Sequence, residues 1–206
     1  MVIAGHGVFA ARSFWLPNDG RGSWSDQVWA EHLKPFGGVI RVTARHSLAN
    51  EPHDRALRRA AKRALLYPPV RFNEPQIALI GEAIGEVVHT LHLKLYALAI
   101  LHEHVHFVSA RHAEPIEELI GFLKRATARY LDRAGLHPFA RRRRANGTLP
   151  SVWVRGGWKR YLNCAADIAD VIPYVEKNPA REGLPPQHWT FLTPFRWYRT
   201  SRSRDG

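Results

Sequence analysis

The stretch LKLYALAILHEHVHFVSA, residues 93–110, constrains the fold of this chain more than any other. Residues 93–101 form a nearly continuous apolar run, as a strand buried on both faces does, and it predicts a central strand. After a short turn, HVHFVSA (104–110) predicts its partner. Successive side chains of a strand point to opposite faces, so His104 and His106 project side by side. Two imidazoles there make either a metal site or a hydrogen-bonded structural pair, and an H-x-H spacing alone leaves both open. No H-E-x-x-H or C-x-x-C pattern accompanies them.

Other segments supply the surroundings of that hairpin. VIAGHGVFAA (2–11) is β-like, and WLPNDGRGSW (15–24) is a turn-rich loop with Pro17, Gly20 and Gly22. HDRALRRAAKRALL (53–66) reads as a basic, alanine-rich helix. A second helix begins at Asn73 or Glu74, with Ile77, Ile80, Ile84, Val88 and Leu91 at helical spacing. PIEELIGFLKRATARYLDR (115–133) is a helix with Pro115 in its first turn and acidic residues behind it. Its stripe Ile116, Leu119, Ile120, Leu123, Thr127 continues to Tyr130, which therefore reads as core. ARRRRANGT (140–148) is a basic loop, and a last helix over about 164–178 is expected to end at Pro179. The basic stretch 196–206 is expected to fray. Helices alternating with strands predict an α/β or α+β fold, with residues 1–195 as a single domain.

Charge narrows the partners. Lys and Arg number 30 against 18 Asp and Glu, a net charge of +12 and a pI near 10.5. Such a surface argues for a polyanion, and nucleic acid and anionic membrane both qualify. No apolar run approaches the ~20 residues needed to span a bilayer, and MVIAGHGVFAARSF does not have the form of a signal peptide. The lone Cys164 excludes an intrachain disulfide, so a cytoplasmic, nucleoid-associated protein that meets no membrane is the expectation. The candidate contacts to DNA are Arg58, Arg59, Lys62 and Arg63 on one helix, Lys124, Arg125 and Arg129 on another, and Arg141, Arg142, Arg143 and Arg144 in the loop. On the helices such residues also suit a plain solvated face. Four successive arginines beside Gly147 point more firmly to phosphates. Of Trp15, Trp24, Trp153, Trp158, Trp189 and Trp197, one or two are candidates to stack on unpaired bases.

The last helix carries an apolar stripe, Ile168, Val171, Ile172 and Val175. Tyr174 and Asn178, four residues apart, lie together beside it, with Asp167 on the same edge. HEHVHFV followed about 70 residues later by YVEKNPAREGL, in a basic chain, resembles the REP-associated tyrosine transposases, single-tyrosine members of the HUH class. The match consists of His104-Val105-His106, then Tyr174, Val175, Asn178, Pro179 and Gly183. HGVFAARSFWLPNDGRGSW and the Trp189 segment HWTFLTPF are similar to further stretches of that family. The resemblance covers about residues 2–195. It implies an antiparallel sheet with helices on its faces, HUH-endonuclease or ferredoxin-like. It also implies Mg²⁺ or Mn²⁺ held by His104, His106 and Asn178, with Tyr174 attacking phosphorus to form a 5′-phosphotyrosine link and later reversing the step. The activity so implied is cleavage and rejoining of single-stranded or hairpin DNA in transposition. Monomer and homodimer both stay open.

Three departures from the family pattern carry expectations. Leu101, His102 and Glu103 stand where a proline is usual before the first His, which predicts a looser turn and makes His102 a stray ligand candidate. FAARS replaces a Thr- and Tyr-bearing first strand. Pro173, one residue before Tyr174, should remove a helical hydrogen bond and kink the helix. Two rivals follow: a DNA-binding protein that keeps the fold without the chemistry, and a phosphodiesterase that uses water.

Overall fold

A computed structural model describes residues 1–13, 16, 28, 30–39 and 54–196. The segment 15–24, apart from Leu16, the first residue of the expected basic helix, and Trp197 and the tail beyond it lie outside the described residues.

Among the described residues, four strands form one antiparallel sheet: β1 (Ala4–Ala10), β2 (Leu95–Ile100), β3 (His104–Ala110) and β4 (Trp158–Leu162), in the order β2-β3-β1-β4. The hairpin expected from residues 93–110 is part of it. The β2–β3 turn is not loose. The Leu101 amide donates to the His104 carbonyl at 2.8 Å. His102 is tied to Phe72 twice, through the Phe72 amide onto its carbonyl (2.7 Å) and through its own Nδ1 onto the Phe72 carbonyl (2.7 Å). Those bonds replace what a proline would have stiffened, and they engage the His102 ring away from His104 and His106.

Among the described residues, five α-helices follow from local chemistry: α1 (Arg55–Arg63), α2 (Glu74–Thr90), α3 (Ile116–Arg133), α4 (Ala165–Glu176) and the short α5 (Asn178–Arg181). Asp54 caps α1 by accepting the amides of Ala56 and Leu57 at 2.9 and 2.8 Å. Asn73 and Gln76 form a reciprocal capping box at the start of α2. The expected last helix is split. Pro179 does not stop helical structure but lies in the first turn of α5, where a missing amide costs nothing. Pro173 sits exposed inside α4, and the helix runs on to Glu176, with the Pro173 carbonyl still accepting the Lys177 amide at 3.1 Å.

The sheet separates two cores. On one face α2 and α3 pack against Phe9, Leu98, Ile100, Val105 and Phe107. On the other, α4 lays Ile168, Val171 and Val175 on Ala4, Ala97, Ala99, Val108 and Leu162. The result is the antiparallel sheet with helices on both faces that the resemblance implies. Thr193 and Gln187 of the C-terminal segment cover the β2 edge: the Thr193 amide donates to Leu95, and the Gln187 side chain both accepts from and donates to Ile100. That segment rests on α2, where Trp189 and Phe191 fill the places a side chain at Gly81 and Gly85 would occupy. No described helix is long and apolar enough to cross a membrane.

Candidate active site

The face of the sheet under α4 gathers the histidines and Tyr174. His104 and His106 alternate with core residues of β3 and share this face with Val108, as the strand period requires. Across the ladder, Val8 pairs with His106 and His6 with Val108, which sets His6 beside His106 on the same face. The His6 Nε2 and His106 Nδ1 atoms lie 3.1 Å apart, with the rings stacked at a centroid distance of 5.4 Å. The His104 ring meets that of His106 edge-on at 4.9 Å.

Tyr174 closes the cluster from above. Its ring centre lies 5.9 Å from that of His106 and 6.2 Å from that of His6, edge-on to both. Because α4 buries Ile168, Val171 and Val175, Tyr174 falls at the border of that stripe and stays 45% exposed. Pro173 has not turned it away from the histidines. Arg181 stands over the Tyr174 ring, its Cζ 5.4 Å from the centroid. Asn178, the first residue of α5, is buried, and its amide nitrogen has no hydrogen-bond partner among the described residues. A buried amide left unmatched is costly unless a further group meets it.

Burial controls the charge here. His6 is pushed down from 6.5 to about 4, first by desolvation and then by Arg160, its ladder partner on β4. His106 is held well below the ordinary imidazole range by burial and then by His104 and His6. Both rings are thus neutral near pH 7, the form in which imidazole ligates a metal. Among the described residues, no group of three or more His, Cys, Asp and Glu side chains is gathered as a metal site. The fit therefore rests on neutral donors: imidazoles on one strand face, and the side-chain amide of Asn178. Such a mixed nitrogen and oxygen set suits Mn²⁺ better than Mg²⁺.

Sequence reasoning misses His6. Its signal lies in Gly5-His6-Gly7. On the α3 side the two glycines admit Ile116 and the Phe107 ring, which an added Cβ would meet at 2.7 and 2.4 Å. The single side chain between them faces α4. Asp167, grouped with Tyr174 by helical spacing, serves the start of α4 instead: its carboxylate accepts the Asn163 amide at 3.2 Å and faces Arg160 at 3.6 Å.

The basic candidates divide. Arg59, Lys62 and Arg63 line α1, with Arg58 half-buried beside them. Arg125 is exposed over Phe122. Arg129 faces Glu86 at 3.6 Å. Lys124 turns inward, donating to the carbonyls of Val154 and Gly156 above the Phe9 ring, and burial brings it down to about 8. It ties down the 154–156 loop, which a helical-face pattern could not disclose. In the arginine loop, Arg143 bonds Asp132 and the Gly147 carbonyl, and Arg142 stacks on Tyr67, whose other cation is Arg12. Arg141 and Arg144 are exposed. Of the tryptophans, Trp153 is core, its indole donating to Thr127 at 2.9 Å, and Trp158 packs edge-on against His6 at 5.0 Å. Tyr130, the rival tyrosine, on the basic helix α3, is on the far side of the sheet, with its hydroxyl on Glu86.

Neither a family model nor a curated protein matches the sequence. Among solved structures, the chain is similar to a REP-associated tyrosine transposase bound to a REP hairpin, at 11% identity and a TM-score of 0.46, over 89% of this chain and 70% of that one. It is also similar to a transposase candidate from Deinococcus radiodurans R1, at 13% identity and a TM-score of 0.37, over 86% of this chain and 91% of that one.

Proposed function

We propose that this protein cleaves and rejoins single-stranded or hairpin DNA through a covalent link to Tyr174, as a transposase of the single-tyrosine HUH class. The observation that carries the reading is the approach of Tyr174 to the histidine pair: the tyrosine of α4 and His106 of β3, distant in sequence, meet with ring centres 5.9 Å apart. The Tyr174 oxygen attacks phosphorus, the bond from phosphorus to the departing 3′-oxygen breaks, and that oxygen leaves as a 3′-hydroxyl on taking up a proton. The phenolic proton passes to solvent. Attack by the 3′-hydroxyl restores the diester, so no nucleotide cofactor enters. A free phenol, with a pKa near 10, is a weak nucleophile at neutral pH, and a cationic environment is what makes it serviceable.

His104, His106 and Asn178 are the residues that would hold the divalent cation, which when bound draws negative charge off the scissile phosphate. Arg181, over the Tyr174 ring, adds a fixed positive charge. The +12 net charge and the arginines of α1 and the 140–148 loop supply the general attraction to the DNA backbone.

The reading predicts that His104→Ala and His106→Ala each abolish metal-dependent cleavage of a hairpin oligonucleotide while most DNA binding survives. Calorimetric titration with Mn²⁺ checks the metal part. Binding to the wild type that is lost in both variants supports it; a flat wild-type titration, with and without DNA, contradicts it.

A further inference from the structure

His6 performs a task that the Tyr174, His104 and His106 scheme does not assign. Its ring is 4% exposed, enclosed by Trp158, Tyr174 and His106, and set in β1 between two glycines. A buried imidazole needs a partner, and His106 supplies one at 3.1 Å.

Two neutral imidazoles at that distance share one proton. Either His106 Nδ1–H donates to His6 Nε2, or the reverse. Only the first arrangement leaves the lone pair of His106 Nε2 free; the second puts a proton on it. A metal-ligating imidazole characteristically donates its other ring N–H to a fixed acceptor, which sets both its tautomer and its plane. That acceptor is commonly a carboxylate or carbonyl. Here the neighbouring strand offers a second imidazole at the diagonal position on the same face. Trp158 and Tyr174 flank the His6 ring in T-shaped contacts at centroid distances of 5.0 and 6.2 Å.

We propose that His6 is a positioning residue: it accepts the Nδ1–H of His106 and so holds that ring in the tautomer whose Nε2 is free to bind a cation. The inference rests on the metal-binding reading of His104 and His106, but the tautomer can be read without metal. In ¹⁵N–¹H correlation spectra of the metal-free protein at pH 7, His106 is expected to carry its proton on Nδ1. His6→Leu fills much the same space without an acceptor and should release His106 to a mixture of both tautomers. His6→Gln, whose amide oxygen accepts a hydrogen bond, should restore the Nδ1–H form.

Mn²⁺ affinity is the second readout. It should fall on the order of tenfold or more in His6→Leu and recover in His6→Gln, with far-ultraviolet circular dichroism unchanged in both. A wild-type His106 protonated on Nε2, or a tautomer unmoved by His6→Leu, overturns the proposal. So does a loss of Mn²⁺ affinity in His6→Gln as deep as in His6→Leu, because His6 would then be a ligand itself. An Nδ1–H tautomer that follows the His6 variants as expected, in a wild type that binds no Mn²⁺, upholds the positioning role and overturns the metal reading alone.

Discussion

The two faces of the sheet are built from opposite materials. Under α2 and α3 lie large apolar side chains, Phe9, Phe107, Leu98, Ile100 and Val105, and the glycines of β1 are filled by Phe107 and Ile116. Under α4 the apolar floor is mostly small, Ala4, Ala97, Ala99 and Val108 with Leu162 the one large aliphatic among its buried strand residues, and His6, His104 and His106 share that face. The first face derives stability from buried area. The second gives some of that up: three imidazoles and a buried amide occupy space that leucines would fill more favourably. Because both faces share the same strands, the apolar side holds the histidine side in register, and a candidate site on strands is more firmly placed than one on loops.

The largest break in that comparison comes from the apolar face. Phe107→Ala removes a fully buried ring that also covers Gly7, and is expected to cost roughly 3–5 kcal/mol, read as a fall in the urea midpoint. It should unfold much of the protein at moderate temperature. A loss near zero would show that the two faces do not differ in this way.

Acid acts on the other face. His6 is neutral in the folded chain down to about pH 4, while an unfolded histidine takes its proton near 6.5. The unfolded state therefore binds the extra proton between those values, and stability falls as pH falls from about 6.5 to 4, by roughly 3 kcal/mol for His6. His106 adds in the same direction. Urea midpoints of the metal-free protein at pH 7 and pH 4.5 check this, and His6→Gln should flatten the difference. A wild-type profile level across that range would contradict the burial of neutral rings.

The smallest effect on stability is expected away from both faces. Changing Arg141, Arg142, Arg143 and Arg144 together to Ala should leave the sheet intact, since it removes only surface interactions such as the Arg143–Asp132 ion pair and the stacking of Arg142 on Tyr67. On single-stranded DNA each neutralised phosphate contributes about −0.7 to the log–log salt slope, so the variant should show a flatter one. An unchanged slope would show that this loop faces away from the nucleic acid.

What can be read from the sequence follows the same division. The hairpin at 93–110 and the helices α2 and α3 are legible because burial on a large apolar core imposes strong periodicity. The strand β4 is not. WKRYL is an edge strand, paired on one side only, and its charged Lys159 and Arg160 erase the apolar alternation that marks a strand while protecting the edge. His104, His106, Tyr174 and Asn178 stand out by spacing and family likeness. His6 does not, since its partner stands 100 positions away and only the register of β1 on β3 brings them together. The inward turn of Lys124 is a similar case: a helix-face pattern marks it as surface, and the 154–156 loop that claims it is distant in sequence.

The central claim is that the reactive tyrosine is the one on the histidine face. Wild type, Tyr174→Phe and Tyr130→Phe, incubated with a hairpin oligonucleotide and Mn²⁺ and run on a denaturing gel, separate the alternatives through the covalent protein–DNA adduct. The account predicts an adduct in the wild type, none in Tyr174→Phe with the fold unchanged, and an adduct retained in Tyr130→Phe, whose lost hydrogen bond to Glu86 is solvent-exposed and costs at most about 1 kcal/mol of stability. An adduct that survives Tyr174→Phe and disappears in Tyr130→Phe would contradict it.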